Sequence, residues 1–276
     1  MLYGQDGAIT RPIDRDVGVP PPADGGPGLA AAGCPLVDGP RAGIAHRWMG
    51  AVTVRAHALI PSFNEERTVG DVVRGVAPYV VAITVIDDGS TDATGDVARR
   101  AGAEVLSLGR NTGKGAAVRA GLVRALGGDC THVLLLDGDL QHRPDEVPAL
   151  VAEAERTGAD LVLGSRRFDR QAMPASRYYA NRIGSRALSR FVGVRLHDTQ
   201  CGFRLFRADA LRGLALRAVG YEIETEMLVK VVRRGGGVAS VPVTAVYAGQ
   251  RSKLRPIRDT TKTCFLAVYY RFLERL

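Results

Sequence analysis

Val133–Leu136 is apolar at every position, and the run stops abruptly at Asp137-Gly-Asp-Leu-Gln-His142. A strand without polar alternation is covered on both faces, the condition of a parallel sheet inside an α/β domain. The same punctuation recurs along the chain. Ala56–Ile60 runs into Pro61-Ser-Phe-Asn-Glu-Glu66, and Val80–Ile86 into Asp87-Asp-Gly-Ser-Thr-Asp92. Glu104–Leu108 runs towards Asn111-Thr-Gly-Lys-Gly115, and Asp160–Leu163 into Gly164-Ser-Arg166. Helical stretches separate these strands. One is capped by Thr68 and ends near Gly75; a second is capped by Asp92 and ends at Ala101. A third runs through Ala125, and a fourth covers Asp145–Thr157 with Pro144 at its start. Strands and helices in alternation predict a mainly parallel sheet with helices on both faces.

The polar residues collect at one place on such a sheet. Asn64 and Glu65, Asp87 and Asp88, Asp137 and Asp139, and Arg166 all follow strand C-termini, the edge where open α/β sheets bind ligands. Asp137, Asp139 and Gln141 alternate along what reads as extended backbone, so their side chains point one way. Three oxygen donors are too few to enclose an ion. They suit Mg²⁺ or Mn²⁺ that keeps waters and takes further ligands from substrate phosphates. The competing reading is an acidic turn after a core strand, since Asp-x-Asp alone is a common pattern.

Composition narrows the class. A chain of 276 residues with 46% hydrophobic content buries one substantial core. No apolar run approaches the roughly 18 residues of a membrane-spanning helix, and the N-terminus lacks the order of a secretory signal. Cys34, Cys130, Cys201 and Cys264 form no Cys-x-x-Cys pair, which predicts reduced thiols and a cytoplasmic location. The net charge of +8 favours anionic partners, although its arginine bias also fits a GC-rich genome. Residues 1–50, rich in Gly, Pro and Ala, read as a disordered segment or as an over-extended start with Met49 as the true beginning.

Beyond Arg166 the pattern loosens. Arg177–Phe191 is consistent with an amphipathic helix whose arginines form either a solvated face or an anion site. Thr199–Phe206 is strand-like, Glu222–Arg233 helical, and Val238–Val246 a further strand. The globular domain is expected to span 51–256. A C-terminal amphipathic helix, 257–276, carries Phe265, Val268, Tyr269, Phe272 and Leu273 on one side.

Taken in order, several stretches resemble those of family 2 glycosyltransferases, and within them the polyprenyl-phosphate (dolichol-phosphate mannose synthase-like) branch. They are Ile60-Pro-Ser-Phe-Asn-Glu65, Val85-Ile-Asp-Asp-Gly-Ser-Thr-Asp92, Asn111-Thr-Gly-Lys-Gly115, Leu136-Asp-Gly-Asp-Leu-Gln-His142, Gly164-Ser-Arg166, Asp198-Thr-Gln-Cys-Gly-Phe-Arg204 and Ser252-Lys-Leu254. The resemblance implies a GT-A-type nucleotide-sugar-binding fold. It implies nucleotide contacts from Pro61, Phe63, Glu65, Asp137 and one or both of Asp87 and Asp88. Asp139 and Gln141, with Asp137 beside them, match the metal ligands, and Arg166 and Lys253 match cationic contacts to phosphate. Lys114 is implied at the sugar or ribose, unless its turn only starts a helix. Relatives carry an arginine upstream of the Ser-Lys-Leu lysine where this chain has Tyr247, which leaves Arg251 to supply that charge.

The reaction so implied moves a hexose from a GDP- or UDP-sugar, with Mg²⁺ or Mn²⁺, to a polyprenyl phosphate at the membrane surface, with inversion. A hydroxyl acceptor needs a general base, for which Asp198, Glu222, Glu224 and Glu226 are candidates. A phosphate acceptor does not, because its second ionisation lies near about pH 6. The alternatives are a family 2 enzyme acting on a soluble hydroxyl, a basic nucleic-acid-binding protein and a nucleotidyltransferase. No zinc-finger, basic-zipper or RNP-like motif supports nucleic acid as a partner. Donor base, acceptor, oligomeric state and any protein partner stay open at this level.

Overall fold

The computed structural model describes residues 53–166, 175–194, 196 and 198–244, without the side chains of 175–181. They fall in a unit spanning Pro35–Leu276; a second unit, Met1–Cys34, lies outside the description. The N-terminal segment, Arg251, Lys253 and the C-terminal helix expected over 257–276 also lie outside the described residues.

Seven strands form one sheet: β1 (Ala56–Ser62), β2 (Ala82–Asp87), β3 (Glu104–Ser107), β4 (His132–Leu135), β5 (Leu161–Arg166), β6 (Arg204–Arg207) and β7 (Val238–Val243). Their order is β3-β2-β1-β4-β6-β5-β7. β1 pairs in parallel with β2 and β4, β2 with β3, and β5 with β7. Only β6 is reversed, antiparallel to both β4 and β5, with Leu205 opposite Leu134 on one side and Val162 on the other.

The helices are α1 (Val69–Val76), α2 (Thr94–Arg100), α3 (Lys114–Leu126), α4 (Val147–Thr157), α5 (Ala175–Val192), α6 (Ala208–Leu211) and α7 (Ile223–Arg233). They cover both faces because successive strand residues point to opposite sides. Leu59, Ile86, Val133 and Leu135 meet Val118 and Leu122 of α3, Leu211 of α6 and Met227 of α7. Ala58, Ile60, Val85, Leu134 and Leu136 meet Val72 and Val73 of α1, Ala98 of α2 and Leu150 of α4. In α1 the valines at 69, 72, 73 and 76 recur at helical spacing and are all fully buried, each contributing roughly 2 kcal/mol.

Four expectations from the sequence are corrected. Thr68 stands at the N-cap of α1 but spends its hydroxyl on the carbonyl of Gly138, 2.7 Å away, rather than on the helix. Asp92 lies one residue before the N-cap of α2 and accepts from the amide of Thr94 at 3.0 Å. Residues 199–203 are not strand. The buried Arg204 guanidinium gathers the carbonyls of Thr199 (2.8 Å) and Cys201 (2.8 Å), which folds that segment back on itself. The backbone after β4 is not extended: residues 138–139 turn, and Leu140 sits at φ +58°.

Candidate active site

At the C-terminal edge of the sheet a cavity of about 680 Å³ opens. Four exit loops build it, those after β1, β2, β3 and β4, and hydrogen bonds fasten them to one another. The loop after β1 is zipped to the loop after β2. The Asn64 amide donates to Ser90 Oγ (3.0 Å) and the Thr91 amide to Asn64 Oδ1 (2.8 Å). The Glu66 amide donates to Asp92 Oδ2 (3.2 Å), while Glu66 Oε2 accepts from the amide of Ala93 (3.1 Å). Asn64 adopts φ +54°, a left-handed conformation its short polar side chain tolerates, so the loop bends at the cavity rim.

Asp88, buried, accepts from the Thr112 amide and hydroxyl (both 2.7 Å) and from the Gly113 amide (2.8 Å). It therefore braces the turn that delivers Lys114 while still lining the cavity. Asp87 ends β2, and its Oδ1 accepts from the Ser90 amide at 2.9 Å, closing the loop that follows. Asp87 does not line the cavity.

The loop after β4 carries Asp137, Asp139 and Gln141, and all three reach the cavity. They converge by turning rather than by alternating: the Gln141 amide donates to Asp139 Oδ1 at 3.0 Å across the bent Leu140. Gly138 permits the close approach to β1, since a Cβ there would stand 2.5 Å from Ser62 Oγ. Burial and then the neighbouring Asp137 charge push the Asp139 carboxyl up to about 6. Asp137 behaves oppositely. Burial would raise it, but Lys114 first and then His142 and Arg204 hold it below the usual carboxylate range. His142 is buried, stacks on Phe203 with ring centroids 5.5 Å apart, and burial above all lowers its pKa to about 4, so its ring is neutral.

Lys114 is a buried cation of the site; the exposed Arg67 also lines the cavity. Lys114 Nζ lies 2.5 Å from Asp137 Oδ1 and 2.5 Å from Glu224 Oε1, with the Tyr221 ring centroid 5.5 Å away. Glu224 in turn pairs with Arg204 at 3.1 Å, and Arg204 also donates to the Glu224 carbonyl at 2.6 Å. A strap, residues 212–221, closes this end. Glu226 accepts from the amides of Arg217 (2.9 Å) and Ala218 (2.7 Å), and its partner Lys230 holds the Ala215 carbonyl (2.5 Å). The strap lies so close to α3 that a Cβ on Gly115 would stand 2.2 Å from the Ala218 carbonyl oxygen.

Pro61, Phe63, Glu65, Asp88, Lys114, Asp137, Asp139 and Gln141 thus share one cavity. Arg166 and Asp198 do not line it; they pair with each other at 2.6 Å. Arg251 and Lys253 lie outside the described residues. Arg204 and Tyr221 were given no role from the sequence. An arginine directly before the apolar pair Leu205-Phe206 was the signal available for the former. Among the described residues no trio of His, Cys, Asp and Glu is gathered closely enough to hold a metal ion unaided.

The glycosyl transferase family 2 model matches residues 58–214. The undecaprenyl-phosphate mannosyltransferase of Micrococcus luteus is 34% identical over 206 residues, 70% of this chain and 84% of that protein. The polyprenol monophosphomannose synthase of Mycolicibacterium smegmatis is 31% identical over 207 residues, 70% and 77% of the two chains. A crystal structure of glucosyl-3-phosphoglycerate synthase from Mycobacterium tuberculosis with Mn²⁺ and UDP-glucose superposes with a TM-score of 0.62 at 24% identity, covering 79% of each chain. The match to that structure concerns the GT-A-type fold. With the family model covering the loops that build the cavity, the chain belongs to glycosyl transferase family 2 and is a glycosyltransferase.

Proposed function

We propose that this enzyme transfers a hexose from a GDP- or UDP-sugar to a polyprenyl phosphate, inverting the anomeric centre and depending on a divalent cation. The observation that carries the acceptor reading is the state of the four carboxylates named as candidate bases; those that do line the cavity, Glu65, Asp88, Asp137 and Asp139 among them, are assigned to the donor and the metal. A hydroxyl acceptor needs a base beside the donor. Asp198 is gripped by Arg166, Glu224 by Lys114 and Arg204, and Glu226 by Lys230 and backbone amides. None of these three, nor Glu222, lines the cavity. A phosphate monoester arrives as an anion and asks only for positioning and charge compensation. The names of the relatives in Micrococcus and Mycolicibacterium support the same acceptor class.

The donor side is read from the fastened loops. Phe63 and the Asn64–Glu65 turn offer an aromatic face and polar atoms to a nucleoside, and Asp88 stands on the same wall. Asp139 and Gln141, with Asp137 beside them, fit a hard divalent cation. Their donors are oxygens, and of the two main causes that raise the Asp139 carboxyl, burial first and the Asp137 charge second, a cation would relieve the second. Such an ion, when bound, stabilises the charge developing on a departing diphosphate. Lys114 keeps Asp137 ionised and fixed, and the strap keeps Lys114 in place. Arg166 and Lys253 are assigned to phosphate contacts. No described helix is long and apolar enough to cross a membrane, and a peripheral position at the lipid surface is part of this proposal.

The test is incubation with labelled GDP- and UDP-sugars, Mn²⁺ or Mg²⁺ and short-chain polyprenyl phosphates. Label should pass to the lipid, sensitive to mild acid as a glycosyl phosphate ester. Transfer only to soluble hydroxyls would overturn the acceptor assignment.

A further inference from the structure

Lys114 stands where a cation is disfavoured, at the first position of α3, facing the positive end of the helix dipole. Burial also opposes its charge, yet Asp137 and Glu224 together raise its pKa above that of an ordinary lysine. The two carboxylates hold it at equal distances of 2.5 Å. Glu224 is itself tied to the fully buried Arg204 through both its side chain and its carbonyl. A continuous line of alternating charge therefore runs Arg204, Glu224, Lys114, Asp137, and ends one glycine before Asp139. Counting Asp139, this line sets three carboxylates against two cations, one net negative charge beside the place where the proposed metal would sit; Glu65, which also acts on Asp139, and the exposed Arg67 line the same cavity.

We infer that Glu224 is a positioning residue that sets this charge: by sharing the Lys114 ammonium, it stops Lys114 from neutralising Asp137 and preserves the affinity of the Asp137–Gln141 loop for a divalent cation. The inference rests on the metal dependence proposed above. It assigns Glu224 no contact with the reacting atoms. In a buried, low-dielectric cluster a single charge of this kind alters ion affinity strongly, and removing it shifts the balance towards anions.

The measurement is Mn²⁺ titration of the full-length protein by calorimetry, with no sugar donor or lipid present, alongside UDP and GDP binding without metal. Glu224→Gln, nearly isosteric, should weaken Mn²⁺ about ten-fold and leave metal-free nucleotide binding equal or tighter. Lys114→Met should do the reverse, with Mn²⁺ binding kept or tightened and metal-free nucleotide binding weakened. The double variant Lys114→Met/Glu224→Gln restores the original net charge and should recover Mn²⁺ affinity to within about three-fold, a coupling that mere structural damage does not produce. Unchanged Mn²⁺ affinity in Glu224→Gln with lost turnover would make Glu224 a proton acceptor and overturn the inference. A double variant as weak as Glu224→Gln also overturns it. Should Glu224→Gln fail to fold, weakened Mn²⁺ binding in Lys114→Met decides against it, and kept or tighter binding for it. A wild-type protein that binds Mn²⁺ in this pattern but glycosylates no polyprenyl phosphate sinks the proposed acceptor and leaves the charge assignment standing.

Discussion

Arg166 grips Asp198 with two nitrogens, Nε to Oδ2 at 2.6 Å and Nη2 to Oδ1 at 3.1 Å, while its own amide approaches Oδ2 at 3.3 Å. The pair joins the end of β5 to the segment that leads into β6, and the Asp198 side chain is wholly buried. Replacing Arg166 by Met strands a buried carboxylate without its bidentate partner. We expect a loss of about 2–4 kcal/mol in urea unfolding. Arg166→Lys should recover only part of it, because a point charge cannot reproduce the planar fork. A variant as stable as wild type would remove the structural role and leave Arg166 to substrate alone.

Asp139 gives a pH dependence of definite sign. Its folded pKa, about 6, lies above the ordinary 3.8, so the folded protein binds the proton more tightly than the unfolded chain does. The stabilisation is therefore complete below about pH 4 and is lost as pH rises through 6. Metal-free Asp139→Asn should be more stable than wild type at pH 8, by on the order of 2 kcal/mol, and the difference should vanish near pH 4. Thermal melts of both proteins in chelator across that range provide the comparison.

The same carboxyl must be ionised to ligate a cation. Mn²⁺ affinity of the wild type should fall as pH drops through 6, and Asp139→Ala should abolish metal-stimulated transfer with the fold intact. Retained metal-dependent activity in Asp139→Ala would move the ligand assignment elsewhere.

Asp88 supports three donors of the Asn111–Gly113 turn. Asp88→Ala should release that turn, displace Lys114 and raise the donor KM about ten-fold or more, with a stability loss of about 1–3 kcal/mol. Asp88→Asn keeps one acceptor oxygen and should fall between. Steady-state kinetics paired with melting curves separate the two effects.

Gly115→Ala inserts a methyl group against the Ala218 carbonyl at 2.2 Å and the Val219 carbonyl carbon at 2.7 Å, both backbone atoms. The strap must move, and Glu226 and Lys230 resist that movement. A loss of about 1–3 kcal/mol is expected, with turnover reduced more than donor binding.

The fold was legible because the parallel strands β1, β2 and β4 announce their own ends. Val133–Leu136 with Asp137, or Ile86 with Asp87, marks both a buried strand and the rim it reaches. That rim carries Glu65, Asp88, Asp137 and Asp139 into the cavity but also holds Asp87 and Arg166, which do not line it, and Phe63 was named only through the resemblance. What the sequence hid were pairings across long separations. Nothing local says that Thr68 will reach Gly138, that Arg204 will fold residues 199–203 beneath itself, or that Glu224 will meet a lysine 110 positions earlier. The carboxylates expected to serve as bases were identifiable as carboxylates, but their cations come from other elements. The extended backbone expected for Asp137–Gln141 failed because the Asp139 carboxylate captures the Gln141 amide and bends the chain at Leu140.

The reversed strand β6 has a consequence during synthesis. β4 lies between β1 and β6, and β6 is the only neighbour that covers its second edge. Until Arg207 leaves the ribosome, the apolar His132–Leu135 backbone presents unpaired amides and carbonyls to any other nascent chain. Chaperone demand should therefore peak for nascent lengths ending between β5 and β6, and truncated products stopping there should aggregate where slightly longer ones stay dispersed.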